Sequence, residues 1–148
     1  MVDRTVRGYV FVDATLPKDG ASLVELIPRG AGITMDRLRA QAEGGLLPPW
    51  GIGWPDELWR QLIPDLTLRE RFVQELRSTP LGFYTERPPA VAGWPDAPCS
   101  YLRFSALYAD AEGQARRAGW PTREVSGGHL HMLVEPAAVA EALIELAS

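Results

Sequence analysis

A chain of 148 residues, 46% hydrophobic and 23% charged, has the size and composition of one globular domain with a buried core. Its net charge of −4, with the arginines scattered along the chain, excludes a global basic field for nucleic acid or an anionic membrane. Cys99 is the one cysteine, which excludes an internal disulfide; no apolar run reaches a membrane span and the N-terminus lacks a signal-peptide layout, so the expected setting is cytoplasmic.

The first predicted element is YVFVD (9–13), apolar and β-branched throughout, the pattern of a buried parallel strand. Residues 15–99 differ in composition, holding four of the five tryptophans and most of the prolines. Three short helices are predicted there. TMDRLRAQAE (34–43) starts on Thr34, PDELWRQLI (55–63) on Pro55, and TLRERFVQELRS (67–78) on a Thr67–Glu70 capping box. Gly-, Pro- and Trp-rich loops connect them, and the stretch reads as a cap-like insertion over a pocket. Two further strands are expected at YLRFSAL (101–107) and TREVS (122–126), flanking a helix over 110–120 with Asp110 as N-cap and Gly119 near its stop. The chain ends in PAAVAEALIELA (136–147), a helix opened by Pro136. Strand, insertion, strand, helix, strand, loop and helix in that order predict one α/β domain with right-handed crossovers: a core of 1–14 and 100–148 interrupted by 15–99.

Both histidines of the chain, His129 and His131, lie in SGGHLHMLVEP (126–136), after a Gly-Gly turn and before Pro136. An imidazole next to a carboxylate is the usual arrangement for acid/base work near neutral pH, and two histidines at i and i+2 without a third ligand do not make a zinc site. No metal and no cofactor is expected.

This order of segments, with VDATLP, YLRFSALY and GGHLHMLVEP at its joints, resembles the C-terminal half of an α/β-hydrolase-fold protein of the small, cap-bearing, esterase-like kind. The resemblance covers nearly the whole chain but about half of that family's fold. It implies that His129 is the counterpart of the catalytic histidine, in a Gly-His pair with a proline seven residues later. It implies an acid partner either at Asp13, after the first strand, or at Asp110, near the end of the second. Each has a plainer reading, Asp13 as a strand-end turn residue and Asp110 as a helix cap. Tyr108, His131, Trp50 and Trp54 are the expected lining of a substrate pocket, although His131 would equally pack beside Met132, and the two tryptophans would equally staple loops.

The family's nucleophile elbow, G-x-S-x-G, is absent, and none of the six serines stands in that setting. A serine hydrolase needs an activated hydroxyl, a base and oxyanion donors. The chain alone is therefore not a self-sufficient serine hydrolase. The expectation is an atypical half α/β-hydrolase, three parallel strands completed by homodimerisation through the 9–13 edge, acting on a small hydrophobic molecule by His129 acid/base chemistry. The alternatives are a non-catalytic binding or interaction protein, a separate partner that supplies the missing half, or the C-terminal portion of a full serine esterase.

Overall fold

The computed structural model describes residues 5–148; residues 1–4 of the expected 1–14 core segment lie outside them. In chain order, the first strand, β1, is Tyr9–Val12. There follow helices α1 (Leu23–Leu26) and α2 (Met35–Gln41), strand β2 (Leu46–Leu47), helices α3 (Asp56–Leu62) and α4 (Leu66–Glu75), strand β3 (Thr79–Pro80) and helix α5 (Gly82–Thr85). The last third holds β4 (Cys99–Arg103), α6 (Ala109–Arg117), β5 (Thr122–Glu124), α7 (His131–Val134) and α8 (Pro136–Leu146). The chain divides into two compact units: residues 5–16 with 91–148, and Pro17–Ala90. Among the described residues no helix is long and apolar enough to cross a membrane.

The first unit is a mixed α/β body around a three-stranded parallel sheet of order β1-β4-β5. Strand alternation sends neighbouring residues to opposite faces. Val10, Val12, Leu102 and Phe104 meet Val139, Ala142, Leu143 and Leu146 of α8 on one face. On the other, Phe11 and Tyr101 meet Ala111 and Ala115 of α6, with Trp120 stacked on Phe11 at 5.5 Å. Trp94 closes that face beyond α6, against Tyr9 and Phe11, so the stretch before β4 packs with the sheet. β1 is thus covered on both faces yet, among the described residues, pairs on one side only. Tyr9 and Asp13 donate their N–H groups to Pro98 and Leu102 at 2.8 and 2.7 Å. The alternate residues Val10 and Val12 therefore aim their N–H and C=O groups at the unpaired edge.

Helix α6 ends in a Schellman turn: Gly119 at φ +77° donates to Arg116 and Trp120 donates to Ala115, both at 3.0 Å. The start of α6 departs from the sequence expectation. Its N-cap is Tyr108, and Asp110 lies inside the first turn, where its charge faces the positive end of the helix without capping it. Likewise α4 is capped two residues earlier than the Thr67–Glu70 motif suggests, because the Asp65 carboxylate accepts from Leu68 N at 2.7 Å. β4 ends at Arg103, not residue 107: the next two N–H groups leave the ladder for the side chain of Asp13.

The Pro17–Ala90 unit packs α2, α3 and α4 around Leu38, Leu47, Trp59 and Ile63, all buried. The antiparallel pair β2–β3 and a capping box of Ser22 with Glu25 were not among the expected elements, although SLVE (22–25) carries the S-x-x-E pattern. Glu25 bonds Ser22 N and Oγ at 2.8 Å each and pairs with Arg87 at 2.5 Å; these partners, the Ser22 backbone first, hold its carboxyl down at about 2.

Candidate functional site: the Asp13–His129 dyad

Asp13 terminates β1. Its N–H still belongs to the ladder, but its backbone turns to φ +41°, a left-handed conformation that Asp tolerates better than most residues. The following residue is clamped by the buried Tyr101 hydroxyl, which donates to Ala14 O at 2.6 Å and accepts from Ala14 N at 3.1 Å. This clamp fixes the turn that sends the Asp13 carboxylate sideways, over the end of β4.

The carboxylate is fully buried, and both oxygens are occupied. Oδ1 accepts from the backbone N–H of Phe104 at 2.9 Å and of Ser105 at 2.8 Å. Oδ2 lies 2.9 Å from the Ser105 hydroxyl, which donates to it, and 2.8 Å from His129 Nδ1. Burial pushes the Asp13 pKa up; the hydrogen bonds, that of His129 first, outweigh it and hold the group below its ordinary value. Asp13 is therefore ionised at neutral pH and can only accept. The shared proton sits on Nδ1 of His129, and the lone pair of the neutral ring is on Nε2.

His129 reaches this position from the loop after β5. Gly127 N donates to Phe104 O at 3.1 Å, which ties the loop to the end of β4, and His131 N donates to Gly128 O at 2.9 Å, which closes a turn around His129. The His129 side chain keeps 38% of its surface exposed, and the Tyr108 ring stacks on it at 5.3 Å and 28°. Among the described residues Nε2 has no hydrogen-bond partner, and no serine, threonine or cysteine bonds to His129. The arrangement can take or give a proton at Nε2, with the ring held in plane and tautomer by Asp13.

The remaining sequence candidates separate cleanly. Of the two carboxylates, Asp13 makes the contact; Asp110 is exposed on α6 and does not bond to His129. His131 packs edge-on against Phe104 at 5.7 Å and lies over Gly127, where a Cβ would come within 2.3 Å of its Nδ1. Trp50 and Trp54 belong to the Pro17–Ala90 unit, in contact with each other at 4.5 Å and with Trp59 at 5.7 and 5.4 Å. Among the described residues no group of three or more His, Cys, Asp or Glu side chains is placed to hold a metal ion. Ser105 is the member that sequence reasoning missed. The strand was expected to run through it, and only the turn geometry reveals that both its N–H and its hydroxyl serve Asp13.

Arg103 and Glu112 form a second polar cluster, on the α6 face. Nε bonds Oε2 at 2.6 Å, Glu124 also pairs with Arg103, and Arg116 holds the other Glu112 oxygen at 2.7 Å. Every charge there has an opposite partner, and the cluster ties α6 to β4 and β5. Comparison with protein-family models, curated proteins and solved structures gives no match to this chain, so the α/β-hydrolase resemblance has no support from relatives.

Proposed function

We propose that the chain is an atypical α/β-hydrolase-like protein in which His129 is a general acid/base oriented by Asp13. The observation that carries this reading is the 2.8 Å contact between a fully buried, saturated carboxylate and an imidazole with its far nitrogen unbonded among the described residues. Proton transfer is the chemistry that suits it: elimination, isomerisation, or activation of water against a reactive small hydrophobic substrate. The half-fold resemblance and the one-sided pairing of β1 support completion of the sheet by a second copy, joined antiparallel at Val10 and Val12.

The test is hydrolysis of p-nitrophenyl acetate by the wild type, His129→Gln and His131→Gln. A positioned acid/base contributes roughly 10²–10⁴-fold, so His129→Gln should fall to the buffer rate while His131→Gln keeps the activity. Equal rates for the wild type and His129→Gln would end the catalytic reading. Sedimentation equilibrium tests the dimer, which a monomer across the concentration series overturns. The second reading is a non-catalytic ligand-binding protein, favoured by the Ser105 hydroxyl being spent on Asp13 rather than aligned with Nε2.

A further inference from the structure

The Pro17–Ala90 unit contains a cleft of about 200 Å³. Its walls include Trp50, Trp54, Leu38, Gln41, Tyr84 and Arg37. Three observations define what would fit there.

The aromatic floor is built rather than incidental. Trp59 is buried beneath Trp50 and Trp54 and leaves those two half-buried. The Trp59 ring fits because residue 51 is glycine: a Cβ there would lie 2.3 Å from the ring, and φ of +75° disfavours any side chain. The two upper indoles are thus held by a rigid base, a low-entropy surface for a flat apolar group.

The charge of the cleft runs against that of the chain. Among the described residues Arg37 is the one charged residue in its lining, in a protein of net charge −4. Its Nη1 donates to Gly32 O at 2.8 Å, and among the described residues it forms no ion pair. A guanidinium fixed by one backbone carbonyl retains donors for a carboxylate.

The volume limits the ligand. Drug-sized molecules occupy clefts of roughly 300–1,000 Å³, and a cavity of about 150 Å³ accepts benzene. A space of about 200 Å³ suits one ring with a short polar substituent. We infer that this cleft binds a small single-ring aromatic carboxylate, its ring on Trp50 and Trp54 and its carboxylate on Arg37. The site is drawn from the Pro17–Ala90 unit by itself and does not rest on the acid/base reading of His129.

The experiment titrates the full chain with benzoate, and with neutral benzamide as control, by calorimetry and by the shifts of the tryptophan indole N–H resonances. Saturable benzoate binding is expected, with the Trp50 and Trp54 resonances moving. Arg37→Gln should weaken benzoate by at least about tenfold, the loss of one charge-assisted hydrogen bond, and leave benzamide unchanged. Arg37→Lys should retain part of the wild-type affinity, and His129→Gln, which does not line the cleft, all of it. Arg37 is exposed, so these variants leave the buried base of the unit intact. No saturable binding of benzoate overturns the site, as do shifts confined to Trp94 and Trp120. Equal benzoate affinity in Arg37→Gln overturns the carboxylate assignment.

Discussion

Asp13→Asn is the substitution that isolates the dyad's electrostatics from its shape. Asparagine has the same outline and tolerates a positive φ, so the +41° turn survives. What changes is the hydrogen-bond inventory. With its carbonyl in the Oδ1 position, the new side chain still accepts from Phe104 N and Ser105 N, but as a neutral group. Its amide NH₂ then takes the Oδ2 position, facing two groups that both donate in the wild type. The Ser105 hydroxyl can rotate to accept. His129 must give up its Nδ1 proton and carry the proton on Nε2 instead, which removes the outward lone pair. Each of four bonds loses about 1 kcal/mol on going from charge-assisted to neutral, and the smaller desolvation cost of an amide returns part of that. The net expectation is destabilisation of about 2 kcal/mol at pH 7, read by urea unfolding. The pH dependence carries the sign. Asp13 is held below its ordinary value in the folded state, so its contribution is complete above about pH 4 and is lost as pH falls through the folded value. The wild-type and Asp13→Asn stability curves should therefore converge in acid. Nitrogen-detected NMR of the chain's two histidines reads the tautomer directly. An Asp13→Asn protein as stable as the wild type at pH 7, with His129 still protonated at Nδ1, would refute the reasoning.

Ser105→Ala removes one of the two donors on Oδ2 and leaves the His129 bond in place. A loss of about 1 kcal/mol is expected in urea unfolding, with the Nδ1-protonated tautomer retained; a tautomer change would contradict it. Tyr101→Phe strips Ala14 of both clamp bonds in a fully buried position and should cost about 1–3 kcal/mol. Because the clamp fixes the turn carrying Asp13, this variant should also broaden the His129 resonances, and sharp, unshifted ones would show that the turn holds without it.

The α/β class and the three parallel strands were readable because β1 and β4 carry short, largely apolar runs of buried-strand type and α8 a period-3.6 stripe, each flanked by turn residues. Gly119 and Pro136 marked helix ends by backbone chemistry that needs no tertiary partner. The errors fell where a distant side chain competes for the backbone. β4 stops at Arg103 because Asp13, about 90 residues earlier, captures the next two N–H groups, and no local pattern records that. Helix starts slipped by a residue or two where two polar groups offered caps, as with Asp65 before Thr67. Within the candidate site, Asp13 and Asp110 were equivalent on spacing alone. The contact between Asp13 and His129 depends on a strand pairing across the whole insertion, which periodicity does not encode.

The placement of Asp13 also has a kinetic side. It bonds to residues 91 and 116 positions away, whereas β4, α6 and β5 are near neighbours in the chain. Closing a flexible loop of that length costs about 4 kcal/mol of chain entropy before any contact repays it. Topology thus orders the events: β4–α6–β5 associates early, and β1 docks late. In a single copy the reverse opening is expected to begin at β1, whose one ladder, to β4, joins residues far apart in the chain. Each such opening withdraws Asp13 from His129 while the histidine loop stays tied to Phe104. Hydrogen exchange at Tyr9 and Asp13 should then outpace exchange at Tyr101, and the lifetime of the dyad is the lifetime of one docked strand.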